Sequence, residues 1–193
     1  MNTKIQFRIL EEFSNWLNID KVKIDLINSG SASKRNYYRI WHQEQSYIAT
    51  YASDIRENQA FFYLAQYYHK RGVSVPELYH VSSDQTIYFQ QDIGDVNLLS
   101  LLKTEGLTAK VKQLYKDSLK MLCKMQTSAR ELDFSQCYPR DSFDAQSILW
   151  DLNYFKYYFL KVSGLDFDEQ SLEDDFQVLA KSIAVETEPY FMF

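Results

Sequence analysis

Thr86-Ile87-Tyr88-Phe89-Gln90-Gln91-Asp92-Ile93-Gly94-Asp95-Val96-Asn97-Leu98-Leu99 is the stretch in which this chain changes character. Residues 86–91 read as a β-strand, rich in β-branched and aromatic side chains. Asp92-Ile93-Gly94-Asp95 reads as a turn, with Gly94 free to take a positive φ. From Leu98 onward the pattern is helical, with segments near 98–103, 108–131, 143–163 and 169–185. Residues 1–95 are therefore mixed α and β and residues 96–193 nearly all helix. The exception is Tyr190-Phe191-Met192-Phe193, which looks like a strand.

Upstream of the junction, Ile5, Ile9, Phe13, Trp16 and Leu17 fall at helical spacing. A strand is expected at 22–27, followed by the small polar run Asn28-Ser29-Gly30-Ser31-Ala32-Ser33. Residues 37–41 and 46–51 are β-rich and flank His42-Gln43-Glu44-Gln45, a hairpin by composition. Phe61, Phe62, Leu64, Ala65 and Tyr68 return to helical spacing, and Gly72 stands where a helix C-cap prefers glycine. Pro76 starts an extended piece that runs to Val81, and Ser82-Ser83-Asp84 turns it into the strand at 86–91.

Bulk numbers bound the function classes. Hydrophobic residues at 46% and charged residues at 24% are a globular balance, and 193 residues suffice for one domain or two small lobes. Only five glycines and three prolines favour long regular elements over tight turns. A formal net charge of -5 offers no basic face for nucleic acid. Cys123 and Cys137 form no CxxC and build no disulfide scaffold, which fits a reducing cytoplasm. Cys123, in the apolar run 119–125, reads as a buried small hydrophobe. No signal peptide or membrane span is expected.

Four local motifs lift the element order above a generic α+β pattern. Gly30-Ser31-Ala32-Ser33-Lys34-Arg35-Asn36-Tyr37-Tyr38-Arg39 resembles the G-D-A-S-F-R-R-Y-F-R loop and strand of bacterial anomeric amino-sugar kinases, a branch of the aminoglycoside phosphotransferase family. Glu57-Asn58, just before Phe61-Phe62, resembles the start of that family's αC-like helix. Gly72-Val73-Ser74-Val75-Pro76-Glu77-Leu78 resembles its G-x-x-V-P-E-I step. Asp92-Ile93-Gly94-Asp95 with Leu98-Leu99 resembles its D-L-G-D…L-L segment. The resemblance covers roughly residues 20–105.

It implies an α+β, protein-kinase-like fold. An antiparallel-sheet amino-terminal lobe over 1–95, a five-stranded sheet with one packed helix, would bind nucleotide. An incomplete, mainly helical carboxy-terminal lobe would span 96–193. ATP or GTP would be the donor, and an amino-sugar or aminoglycoside hydroxyl the acceptor. Backbone N–H groups of the small-residue loop, Gly30, Ser31, Ala32 and Ser33, would approach phosphate oxygens, with Arg35 adding charge-assisted hydrogen bonds. Glu57 would orient the phosphate-binding cation. Gln91, Asp92 and Ile93 would form the interlobe hinge whose backbone meets the adenine edge. Asp151 and Tyr157 are candidates for the acceptor site.

Two departures qualify the expected activity. The strand Ser46-Tyr47-Ile48-Ala49-Thr50-Tyr51 lacks the phosphate-binding lysine of most kinase-like proteins, as the resembling branch often does. None of His42, His69 and His80 begins an H-x-D-x-x-x-x-N catalytic loop, and no Asp-Phe-Gly supplies the metal-binding aspartate. Catalytic residues and metal ligands are therefore expected to be missing from this chain. Mg²⁺ is expected only in a longer parent protein, and nucleotide binding here should be weak. In the family a helix like 169–185 precedes a short apolar strand and then the catalytic loop. The resemblance thus implies a chain ending about where the chemistry begins, with self-association through exposed helix faces.

Two other readings stay open: a catalytically dead nucleotide-binding or scaffold module, and a plain α+β interaction domain. Trp150, Tyr154, Phe155, Tyr158 and Phe159 read as a core-packing stripe. The acidic run 166–175 reads as a solvated loop and helix start.

Overall fold

Helix α1 (Asn2–Leu17) forms because Ile5, Ile9 and Phe13 recur on one side of it, and that side needs an apolar partner. The partner is a sheet, in the computed structural model that describes residues 2–19, 22–27 and 35–184. Its strands are β1 (Lys23–Ile27), β2 (Asn36–His42), β3 (Gln45–Tyr51), β4 (Leu78–Val81) and β5 (Ile87–Gln91), with helix α2 (Ile55–Lys70) between β3 and β4. All neighbours pair antiparallel in the order β1-β2-β3-β5-β4, as expected for an α+β chain. Gln43, at a φ of 55°, turns the β2–β3 hairpin.

Strand alternation gives the sheet two apolar faces, and one packed helix cannot cover both. Ile87 and Phe89 join Ile5, Ile9 and Phe13 in the core on the α1 face, together with Tyr38, Ile40 and Ala49. Tyr88 points the opposite way and meets Phe61 and Phe62 of α2, with ring centroids 5.0 and 5.2 Å apart. The expectation of one packed helix is thus corrected to two, on opposite faces. Trp16 closes the end of the α1 face, stacked on Phe89 and His80.

Helix α2 is stopped by its own backbone chemistry. Gly72 takes a φ of 67°, and its N–H donates to His69 O while the Val73 N–H donates to Tyr68 O. That double bond is a Schellman cap, in which a Cβ at Gly72 would be strained. The β4–β5 turn is held by Asp84, which accepts from the Ser82 hydroxyl, the Thr86 N–H and the Thr86 hydroxyl, and pairs with Arg8 at 2.6 Å. Burial would raise the Asp84 pKa, but these hydrogen bonds and the Arg8 charge outweigh it, bringing it from 3.8 down to about 2. A carboxylate depressed in the folded state stabilises above its unfolded pKa and loses that contribution as pH falls through the folded one. The stability gap between the parent and Asp84→Asn should therefore be full above pH 4 and close as pH falls from about 4 to about 2. Urea titrations across that range would show it; a gap constant with pH would remove Asp84 from the acid limb.

Helices α3 (Leu98–Glu105) and α4 (Ala109–Ser128) follow the sheet, and Asn97 caps α3 with a reciprocal Ser100 bond. The chain divides into two compact units, Met1–Ser128 and Ala129–Phe193. Both α3 and α4 belong to the first, although the switch from sheet to helix comes at residues 92–98. Tyr67 on α2 donates to Ser128 O at 2.7 Å, and Lys124 hydrogen-bonds Gly72 O. Cys123 is exposed on α4, not buried as its apolar neighbours suggested, because Val111 is the buried residue of that helix.

In the second unit, α5 (Ala145–Phe155) runs through a π segment (Lys156–Leu160) into the short α6 (Lys161–Ser163), and α7 (Glu169–Ile183) packs against α5. Ile148, Phe176 and Ala180 are buried. The Lys156 ammonium, on a side chain 4% exposed, reaches Glu173 at 2.5 Å and Glu169 at 3.4 Å. The acidic run is a solvated loop and helix start, as expected, with Asp168 capping α7 and the exposed Glu169 also pairing with Lys161. The aromatic stripe is not core: Tyr154 is 64% and Tyr158 70% exposed, with Trp150, Phe155 and Phe159 also exposed. Helix α5 spends its buried side on Ser147, Ile148 and the Lys156 contact, so the rings fall outside. Among the described residues no helix is long and apolar enough to cross a membrane.

Candidate functional site

Asp54 starts the site by starting α2. Its carboxylate accepts from the Arg56 and Glu57 N–H groups, which capping demands of a helix opening after an extended residue. That places Glu57 in the first turn, where a negative charge suits the helix dipole. Arg35, just before β2, reaches back to it: Nη2 lies 2.9 Å from Glu57 Oε1. Its Nη1 donates to the Tyr88 hydroxyl at 3.2 Å, and the guanidinium stands 5.4 Å over the Phe61 ring. Carboxylate, phenol and ring together fix one cation where β2, β5 and α2 converge.

Tyr88 is 1% exposed, and burial pushes its phenol up to about 12, with the Arg35 charge offsetting part of that rise. It therefore stays a neutral hydroxyl at any physiological pH. An open cleft of about 590 Å³ is lined by Arg35 and residues 52–57. Two arginines and two carboxylates on its wall suit a polar, charged ligand better than an apolar one.

Asn58 explains why the cleft wall keeps its shape. It is wholly buried, and its Nδ2 donates to Ala52 O at 3.0 Å and Gln85 O at 2.8 Å. One amide ties the α2 start to the end of β3 and to the β4–β5 turn. The sequence pairs Asn58 with Glu57 in one motif without saying which half is structural.

At the other end of the same sheet face stands a second charged group. The register pairs Tyr88 with Thr50 and Thr50 in turn with Tyr37, and Gln90 with Ile48 and Ile48 in turn with Arg39. Arg39 thus shares the α2 face with Tyr88. Its Nε and Nη2 reach the two Asp92 oxygens at 2.5 and 3.0 Å, and its Nη1 and Nη2 reach Asp95 at 2.9 and 2.8 Å. Burial works to raise the Asp92 pKa, but the Arg39 bonds, the Gly94 N–H and Ser46 hold the carboxyl below its usual range. The hydrogen bonds of Asp95 and Asp92 likewise raise Arg39 above the ordinary arginine value.

The structure thus brings Arg35 and Glu57 into direct contact and sets Gln91, Asp92 and Ile93 in sequence at the exit of β5. The Gln91 N–H donates to Glu77 O at 2.8 Å, so it is engaged within the sheet region. The Asp92 carboxylate is engaged by Arg39, while Ile93 is 73% exposed. Gly30, Ser31, Ala32 and Ser33 lie outside the described residues, as does 190–193. Asp151 and Tyr157 are exposed in the second unit, with the Lys156 and Lys161 ammoniums 5.4 Å from the Tyr157 ring centroid. Among the described residues no three His, Cys, Asp or Glu cluster to hold a metal, and both Asp92 oxygens accept from Arg39.

Arg39 and Tyr88 belong to these hydrogen-bonded groups, and neither was a candidate in the sequence. The available signal for Arg39 was a cation inside a strand, with two aspartates flanking Ile93-Gly94 further along. No protein-family model matches this chain, and no curated protein matches it either.

Proposed function

We propose that this chain is the nucleotide-binding portion of a sugar-kinase-like phosphotransferase of the aminoglycoside phosphotransferase type. It takes ATP or GTP on the α2 face of its sheet. Phosphorylation of an amino-sugar hydroxyl is the activity proposed for a parent protein that joins these residues to a catalytic loop. The Arg35–Glu57 ion pair carries this reading. A cation at the sheet edge, oriented by a carboxylate of the packed helix, is what kinase-like folds use to hold nucleotide phosphates. The two free thiols fit the reducing cytoplasm, where nucleoside triphosphates are made.

Titration with ATP and with GTP, with and without Mg²⁺, tests it. Weak binding that gains little from Mg²⁺ is expected, since metal charge neutralisation supplies much of a kinase's grip on phosphate. Arg35→Ala should weaken it about tenfold, the scale of one charge-assisted contact. Absence of ATP and GTP binding, or an Arg35→Ala protein that binds like the parent, would reject the assignment; strong Mg²⁺-dependent binding would overturn the expected lack of metal ligands.

The exposed aromatic face of the second unit favours a second reading, a module that works by associating with a second copy of this chain. Sedimentation alongside the titrations separates the two. A protein that oligomerises and ignores nucleotide supports the second.

A further inference from the structure

We propose that Arg39 is a positioning residue that presets the backbone at 92–95 as a fixed edge for the purine base. The base-binding half of the proposal rests on the nucleotide reading above. Four hydrogen bonds run from one guanidinium to four carboxylate oxygens, two on Asp92 and two on Asp95. Asp92 Oδ1 accepts once more, from the Gly94 N–H at 2.9 Å, and Gly94 holds a φ of 84°. The turn is therefore tied at its first residue, its third and its last, with Arg39 as the common anchor.

The anchor itself is rigid. Arg39 sits inside β2, paired to Asp25 of β1 on one side and to Ile48 of β3 on the other. Its side chain is 15% exposed and that of Asp92 6%, so water competes weakly for the Asp92 bonds, whereas Asp95 is 74% exposed and its half of the clasp is the weaker one. The preceding residue is held as well, because the Gln91 N–H and Oε1 both engage Glu77. Ile93, between the tied residues, projects into solvent. A flat heterocycle reads alternating N–H and C=O groups, and it gains affinity only when their spacing is set before binding. A planar fork supplies that spacing; a single ammonium in its place cannot bridge both carboxylates.

The arrangement also assigns separate tasks to the two ends of the sheet face. Arg35, Glu57 and Tyr88 form the charged end, where phosphate oxygens are the matching chemistry. At the Arg39 end one cation faces two carboxylates, +1 against −2, and the net negative charge disfavours phosphate and leaves backbone groups as the means of recognition.

Arg39→Lys in the full chain is the test, read by amide hydrogen exchange and by titration with ATP and with inorganic tripolyphosphate. Exchange at Gly94 and Asp95 should accelerate at least tenfold. ATP affinity should fall about tenfold while tripolyphosphate affinity is unchanged. Asp95→Asn, which keeps the Asp92 half of the clasp, should give smaller changes in the same directions. Unchanged exchange at Gly94 overturns the clasp whatever the nucleotide results. Faster exchange with equal losses for ATP and tripolyphosphate overturns positioning and leaves only a structural role. Faster exchange in a protein whose parent binds tripolyphosphate but not ATP overturns the purine assignment alone. A parent that binds neither removes the nucleotide reading and, with it, the base-binding half.

Discussion

Phe13→Ala should cost the first unit about 3–5 kcal/mol, as expected for emptying a fully buried aromatic site. Phe13 is 0% exposed and touches Trp16, Tyr47 and Phe89 edge-on, with centroids 5.7, 5.3 and 5.2 Å away. Those three rings come from α1, β3 and β5, so the cavity would open where three elements meet and collapse cannot easily fill it. Against a domain stability of about 5–15 kcal/mol, such a loss removes a fifth or more of the total. Urea denaturation followed by tryptophan fluorescence is the measurement, since Trp16 borders the site. Ile9→Val, also buried, should cost only about 0.5–1.5 kcal/mol and serves as the scale. A Phe13→Ala loss no larger than that of Ile9→Val would mean that α1 is not integral to the core.

Asn58→Ala should cost about 2–4 kcal/mol, more than its size suggests. It removes one amide and leaves two carbonyls, Ala52 O and Gln85 O, without the donor they share. Each buried group stripped of its partner costs roughly 1–3 kcal/mol, which exceeds the value of the bond itself. The loss should extend to function, because Ala52 and residues 53–57 form the cleft wall beside Arg35. Denaturation and ATP titration on the same sample would check both. If stability drops by less than about 1 kcal/mol, the amide is dispensable and the cleft wall is held by something else.

The antiparallel sheet was legible in the sequence because its cues are local. Ile87, Tyr88 and Phe89 advertise a strand, and Gly72 marks a helix end that the cap bonds of His69 and Tyr68 account for. The pairing of Arg35 with Glu57 was legible only in part: each was a candidate alone, but their contact depends on how α2 lies on the sheet. The second helix cover was missed because a helical stripe at Ile5, Ile9 and Phe13 does not say which surface it meets. The exposed rings of α5 were misread for a related reason. Periodicity reports an apolar side but not whether anything lies against it, and here Lys156 and Ile148 take the buried positions. Arg39 has its partners more than fifty residues away in sequence, out of reach of any local pattern.

The strand order has a kinetic consequence. β1 with β2, β2 with β3, and β4 with β5 are neighbours in sequence as well as in space, so each pair closes a short loop. Only β3 with β5 must wait for a long one, spanning α2 and β4. Collapse should therefore begin as two separate hairpin assemblies, with their joining as the slow step. Asn58 bonds both sides of that seam, Ala52 beyond β3 and Gln85 before β5, so its pair of hydrogen bonds is complete only once the two assemblies have joined.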